Sequence, residues 1–158
     1  MKNKVVTPSF TYEVSCMDSN GNVKWHETVK NTVVTEGMND LLNKYFKGSS
    51  YTAAWFLGLK AAGSIAAANT LASHAAWAES NPYSGNRPAI TFGTTSAASN
   101  TATTVNITCN AAATVAGAFI ASVNSGTSGV LYSAVDFGAA RTVADGDTLA
   151  VTPTVDVS

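Results

Sequence analysis

Residues Ser9 to Met17 alternate cleanly between apolar and polar: Phe10, Tyr12, Val14 and Cys16 fall on one side, Ser9, Thr11, Glu13 and Ser15 on the other. A period of two marks a half-buried strand. Asp18-Ser19-Asn20-Gly21-Asn22 follows, and Asn-Gly is a strong two-residue hairpin signal because both turn positions take positive φ. Val23 to Lys30 then returns as the second strand. A turn at Asn20-Gly21 pairs Cys16 with Trp25 and Tyr12 with Val29. The faces agree except at Glu27, which opposes Val14, so Glu27 is expected near an edge or rim.

From Val33 the period changes. Met38, Leu41, Leu42, Tyr45 and Phe46 are spaced by three, one, three and one, which gathers them on one face of a helix over about residues 36–47. Thr35 reads as its N-cap, Glu36 complements the dipole, Lys44 and Lys47 sit at the other end, and Gly48 suits C′. A helix of about three turns is marginal alone. Its apolar face is therefore expected to cover one open side of the fold.

Thr52 to Leu59 reads as a central strand, apolar on both faces. Ala61 to Pro88 is a long irregular region. Short strands follow at Ala89–Phe92, Thr103–Cys109, Val115–Val123, Val130–Phe137 and Leu149–Val157. Pro153 lacks an N–H, which places the last strand at an edge or on a bulge. Seven to nine strands at roughly ten-residue spacing predict a mainly β protein: an antiparallel β-sandwich or jelly roll with one short α-helix. The expected organisation is an N-terminal arm, residues 1–8, and a single sandwich domain, 9–158, with its long loop at 61–88.

Composition narrows the function. Charged residues make up 12% of the 158, about half the usual share. Net charge is −1, which argues against a nucleic-acid partner, since phosphate neutralisation needs clustered cations. Residues 1–60 carry seven Lys against five acids, and the remainder two Arg against five acids. That asymmetry is too small to imply a polyanion. No apolar run is long enough for a membrane span. Met1 to Lys4 is basic, but only Val5-Val6 follows before Thr7-Pro8, so no leader pattern is seen and synthesis and assembly in a cytoplasm are expected. Cys16 and Cys109 each fall on an apolar strand face and read as buried free thiols.

Catalytic motifs are missing from the sequence. His26 and His74 stand apart from any acid or nucleophile pattern, and neither G-x-S-x-G, H-E-x-x-H nor C-x-x-C occurs. Asp18 to Asn22 opens like a calcium loop, but Val23 stands where Gly belongs and Val29 where Glu belongs, so a hairpin turn fits better. Asp145-Gly146-Asp147 likewise reads as a turn. No catalytic residue, metal or cofactor is expected. Trp25 and Trp55 read as core; Trp77 and Tyr83, in the long loop, read as contact residues.

Val34-Thr35-Glu36-Gly37-Met38-Asn39-Asp40-Leu41-Leu42-Asn43-Lys44-Tyr45-Phe46, then Trp55 to Leu59, Thr70 to Trp77, Tyr83 to Pro88 and Gly146 to Leu149 together resemble a family of small structural proteins of tailed bacteriophages. The family includes the capsid decoration, or cement, proteins of short-tailed phages. The resemblance implies a jelly-roll sandwich on the capsid exterior of the virion, bridging major capsid protein subunits; self-association as a homodimer at the shell two-folds, or as another symmetric oligomer, is expected with it. Contact with the shell is then expected from the arm (Lys2, Lys4, Val5, Val6) and the long loop (His74, Trp77, Tyr83, Arg87), with the helix as a core element. A tail or fibre component is the neighbouring alternative. A carbohydrate-binding sandwich using Trp77, Tyr83 and Arg87 is the alternative from another class.

Overall fold

The computed structural model describes residues 7–51 and 53–157. In chain order the elements are β1 (Pro8–Met17), β2 (Val23–Lys30), β3 (Thr32–Val33), α1 (Thr35–Tyr45), β4 (Trp55–Lys60), β5 (Ala89–Ile90), β6 (Ser99–Thr101), β7 (Val105–Thr108), β8 (Ala113–Ala121), β9 (Leu131–Val143) and β10 (Thr148–Val157). They form two antiparallel sheets. One has the order β2-β1-β10-β6, with β7 also pairing β10; the other runs β3-β9-β8-β4-β5. The main core lies between them, where Tyr12, Val14 and Val151 meet Leu57, Ile120 and Val135. This is the sandwich with one short helix that the patterning predicts. The arm residues Lys2, Lys4, Val5 and Val6 lie outside the described residues.

The β1–β2 register is the expected one, with Tyr12 opposite Val29, Val14 opposite Glu27 and Cys16 opposite Trp25. The turn is different. Asp18 N–H donates to Asn22 O and Gly21 N–H to Asp18 O, both at 2.9 Å. That makes a three-residue loop with Gly21 at φ +84°, a common alternative to the two-residue turn. Asp18 Oδ1 accepts the Asn20 and Asn22 N–H groups and fixes it. A register shift at Cys16/Met17 absorbs the extra residue, so the faces come out as expected.

Glu27 sits on an edge strand, as anticipated. Its Oε2 accepts the Gly138 N–H at 3.1 Å and lies 3.8 Å from Arg141 Nη2. This contact joins the rim of one sheet to β9 of the other. It exists because the β8–β9 ladder jumps from Val115↔Arg141 to Gly117↔Asp136, which bends β9 towards β2.

Pro153 is neither at an edge nor on a bulge. It pairs with Tyr12 inside β10. Its carbonyl accepts the Ala102 N–H, so its nitrogen faces the same side. There β7 ends opposite Val151 and β6 begins opposite Thr154. The proline occupies the break between two short partner strands, where no ladder donor is required. Strands β3 and β6 escape the sequence pattern because two or three residues cannot show a period.

The second sheet is covered on both faces. Val34, Leu71, Trp77, Phe119, Leu131 and Ala134 form a smaller core on its outer side. The cover is the start of α1 and the segment after β4, which is pinned by Ala61 N–H to Ala78 O (2.9 Å) and Ser80 N–H to Leu59 O (2.8 Å). Strand β8 is apolar on both sides, so this segment is drawn in to dry it.

Inside that cover Lys60 is 0% exposed, its Nζ 2.5 Å from Asp136 Oδ1 and 2.6 Å from Gly63 O. Cys16 and Cys109 are buried free thiols. Burial, then the nearby Asp147 carboxylate, pushes the Cys16 thiol up to about 11 and raises Cys109 as well. Asp147 itself is buried in the turn before β10, 2.5 Å from Lys24 Nζ, and accepts the Ala144 N–H.

Candidate functional site

The helix departs most from expectation. It begins at Thr35, one residue early, and its N-cap is Val34, which offers no side-chain cap. Glu36 has another task than complementing the dipole. Its Oε2 accepts the N–H of Leu71 at 2.9 Å and of Leu131 at 2.6 Å. It thereby ties the helix to the covering segment and to β9. Beside it, Gly37 is buried, and a Cβ there would overlap the carbonyl oxygen of Tyr132. The β8–β9 register shifts between Ile120 and Ala121, where Ile120 pairs Ser133 and Ala121 pairs Leu131. Tyr132 is the extra residue of this bulge. Such a bulge re-aims side chains, and both Tyr132 and Ser133 point inward, Ser133 Oγ lying 2.5 Å from Tyr12 OH.

Only the first half of α1 therefore lies on the sheet. Met38 and Leu41 are half-buried. Leu42 is 51% exposed, Tyr45 78% and Phe46 77%, with Tyr51 beyond the helix at 54%. The expectation that α1 buries its apolar face as a core element is thus corrected: Gly37 seats the helix on the β9 bulge, and its C-terminal turn overhangs.

Under the overhang the sandwich opens into a cleft of about 520 Å³, within the usual range for ligand and anchor pockets. Its floor is Ile120 and Tyr132. Phe10 and Val155 form one wall, Trp55 and Phe92 another, and Leu41, Tyr45 and Tyr51 the outer lip. The rings interlock edge to face: Trp55 with Tyr132 at 5.1 Å, Phe10 with Tyr132 at 5.6 Å, and Phe10 with Phe92 at 6.4 Å. These are favoured geometries for aromatic quadrupoles.

The few polar groups lie around this surface. Trp55 Nε1 donates to Tyr51 OH at 3.2 Å. Lys44 Nζ donates to Ser50 O at 2.7 Å. Asn100 Nδ2 donates to Gly93 O and Thr95 Oγ1, while its Oδ1 is buried with no partner among the described residues. Burial, then the negative field of Asp40, pushes the Tyr132 phenol up to about 12. It is a neutral hydroxyl at any physiological pH. The chemistry on offer is apolar contact with a little hydrogen bonding.

The contact residues expected in the long loop are placed elsewhere. Trp77 is 5% exposed and packs on Phe119, with their centroids 5.4 Å apart. His74 stacks on Trp77 at 4.0 Å and its Nδ1 lies 3.0 Å from Trp77 O. Arg87 is 6% exposed, forked onto Glu79 at 2.7 and 2.8 Å and donating to the carbonyls of Val123 and Gly126. Tyr83 is half-buried against the main core. Trp77 and Arg87 are thus corrected from contact residues to internal packing, because the doubly apolar sheet needs its outer face covered. The aromatic residues that do surround an open cleft include Trp55, which reads as core from its place in an apolar strand, and Tyr132, which the sequence does not single out. No sequence signal marks the exposure of Leu42, Tyr45 and Phe46, since all the apolar positions of α1 fall on one helical face.

Among the described residues, no three His, Cys, Asp or Glu side chains gather as a metal site, and no helix is long and apolar enough to cross a membrane. No protein-family model, curated protein or solved structure matches the chain, so the functional reading rests on its own residues.

Proposed function

We propose that the chain is a non-enzymatic structural component of a tailed-bacteriophage virion, of the capsid decoration type. It binds the outside of the assembled head and bridges neighbouring major capsid protein subunits. The observation that carries this reading is the exposed aromatic face of Leu42, Tyr45, Phe46 and Tyr51 beside the cleft, on a chain with only 12% charged residues. Large aromatics left in water stabilise a complex by about 1.5–3 kcal/mol each when a partner covers them. A largely apolar patch of them suits docking onto protein. The resemblance carried by Val34 to Phe46 points to the virion as the setting. A decoration protein stabilises its shell by mass action, binding the lattice and not the free subunit, and repeated contacts add avidity.

Cryo-EM of the virion tests the proposal. Density for the chain on the head exterior is expected, and density only at the tail would replace it with a tail role. Shells lacking the protein should disrupt at a lower temperature; an unchanged temperature removes the cement function.

The unpartnered Asn100 Oδ1 and the Asp40 carboxylate beside exposed rings favour carbohydrate as the second reading, since a sugar presents both an apolar face and hydroxyl donors. A glycan array comparing wild type with Tyr51→Ala separates the two. Specific binding lost in the variant would support the sugar.

A further inference from the structure

Asn20 and Gly21 stand at the tip of the β1–β2 hairpin, both exposed. Of the chain's asparagines only Asn20 is followed by glycine. The backbone nitrogen after an asparagine can attack its Cγ and close a five-membered ring, and a side chain on the attacking residue obstructs the approach. Gly21 has none, and nothing lies within 4 Å of where a Cβ would stand. The Asn20 carboxamide makes no hydrogen bond among the described residues, whereas the Asn20 N–H is held by Asp18 Oδ1 at 2.8 Å. The electrophile is thus free to turn on a fixed backbone. The nucleophile is held more lightly. Gly21 N–H donates to Asp18 O at 2.9 Å, a single bond at a solvent-facing tip, the kind of contact that opens readily. The competing positions are restrained. Asn22 has the branched Val23 after it, and its Nδ2 donates to Asp18 Oδ2 at 3.0 Å. Asp145-Gly146 has the right glycine, but an ionised carboxylate is a poor electrophile. Gly146 N–H also donates to Cys109 O at 2.9 Å, and Ser19 Cβ lies 3.2 Å from where its own Cβ would stand.

We propose that Asn20 is a self-modifying site, which loses its side-chain amide through a succinimide with Gly21 to leave aspartate and isoaspartate in the folded protein. The co-reactant is water and the catalyst hydroxide. Hydroxide removes the Gly21 amide proton, and the nitrogen forms a bond to Asn20 Cγ. The Cγ–Nδ2 bond breaks, and ammonia leaves with a proton taken from water, which restores the hydroxide. Water then adds to one of the two ring carbonyls. Opening at the Cγ carbonyl gives aspartate; opening at the backbone carbonyl routes the main chain through Cγ and gives isoaspartate. Either product makes the net charge one unit more negative than its −1. The new carboxylate arrives at a corner where the charges of Asp18, Asp147 and Lys24 already act on one another. Isoaspartate also lengthens the turn by one backbone carbon, against the two N–H bonds with which Asp18 Oδ1 holds it.

Timed incubation of the purified wild-type chain tests this, in neutral and in alkaline buffer, folded and unfolded in urea. Tandem mass spectrometry of proteolytic peptides locates the change, and methyl transfer by an isoaspartyl methyltransferase reports isoaspartate. In the folded protein the expected result is a mass gain of about 1 Da that appears first at residue 20. Both products should be present, the rate should rise in proportion to hydroxide, and isoelectric focusing should show a new acidic band. Asn20→Ser, which keeps a turn-forming residue, should lose the early gain. A folded sample in which residue 20 keeps its amide overturns the proposal, whether or not the unfolded chain converts. Another asparagine converting first overturns it too, as does an early gain that survives in Asn20→Ser. Aspartate formed without isoaspartate would mean direct hydrolysis, and overturns the route through Gly21.

Discussion

Removing either partner of the Lys60–Asp136 pair should cost different amounts. The ammonium is fully buried, whereas the Asp136 side chain is 49% exposed. In Asp136→Ala the buried cation keeps only the Gly63 carbonyl at 2.6 Å and the Trp77 ring at 5.8 Å. Stranding a buried charge costs about 3–5 kcal/mol. In Lys60→Met the stem is retained, water solvates the half-exposed carboxylate, and the main loss is one carbonyl's partner, about 1 kcal/mol. The double variant should sit close to Lys60→Met, because Asp136 has little left to do once the cation is gone. The implied coupling then equals the cost of Asp136→Ala, about 3–5 kcal/mol, at or above the upper end for contacting pairs. Urea unfolding of the four proteins, with m-values compared, measures it. Equal costs for the two single variants, or a double variant equal to their sum, would refute the asymmetric burial on which the reasoning rests.

Glu36→Ala leaves the buried Leu71 and Leu131 N–H groups without their carboxylate, and should cost about 3 kcal/mol. Glu36→Gln, which keeps an acceptor oxygen, should recover most of it, and amide exchange at Leu71 and Leu131 would report the loss directly. Gly37→Ala should destabilise by at least about 2 kcal/mol in thermal denaturation despite alanine's better helix propensity, because the added carbon meets Tyr132 backbone that cannot yield. Asp147 is held below the ordinary carboxylate range, first by the hydrogen bond from Lys24 and then by the Ala144 N–H against the opposing cost of burial. A depressed folded-state pKa means stability present above the unfolded value near about 4 and lost as pH falls through the folded one. Melting temperature should thus fall less steeply below about pH 4 in Asp147→Asn than in wild type.

The sequence made some of these features legible and hid others for physical reasons. The pairing of Cys16 with Trp25 follows from period-two alternation, which survived a different turn because strands can absorb one residue in a bulge. The existence of α1 follows from its 3.6 period. How far it is buried does not, since that is decided by Tyr132, nearly a hundred residues later, where a bulge offers a seat for Gly37 alone. A carboxylate at a helix start reads as a dipole partner whether or not it reaches two distant amides, so the task of Glu36 was hidden. The cleft draws on β1, α1, β4, β6, β8, β9 and β10, and each of its apolar strand residues looks locally like core. Whether a core closes at one end is a property of the assembled sheets. Trp77 and Arg87 looked like contact residues because their segment lacks a period. It lacks one since it is shaped to the outer face of another sheet.

The pairing of β1 with β10 sets Phe10 opposite Val155, a contact that bridges nearly the whole length of the chain. Closing so long a loop is among the slower and costlier steps available to a folding chain. Phe10 and Val155 are also walls of the cleft. A chain still on the ribosome, or cut short before β10, has β2 and α1 but no such cavity to present. The cleft therefore forms only once β10 has been made and has paired with β1.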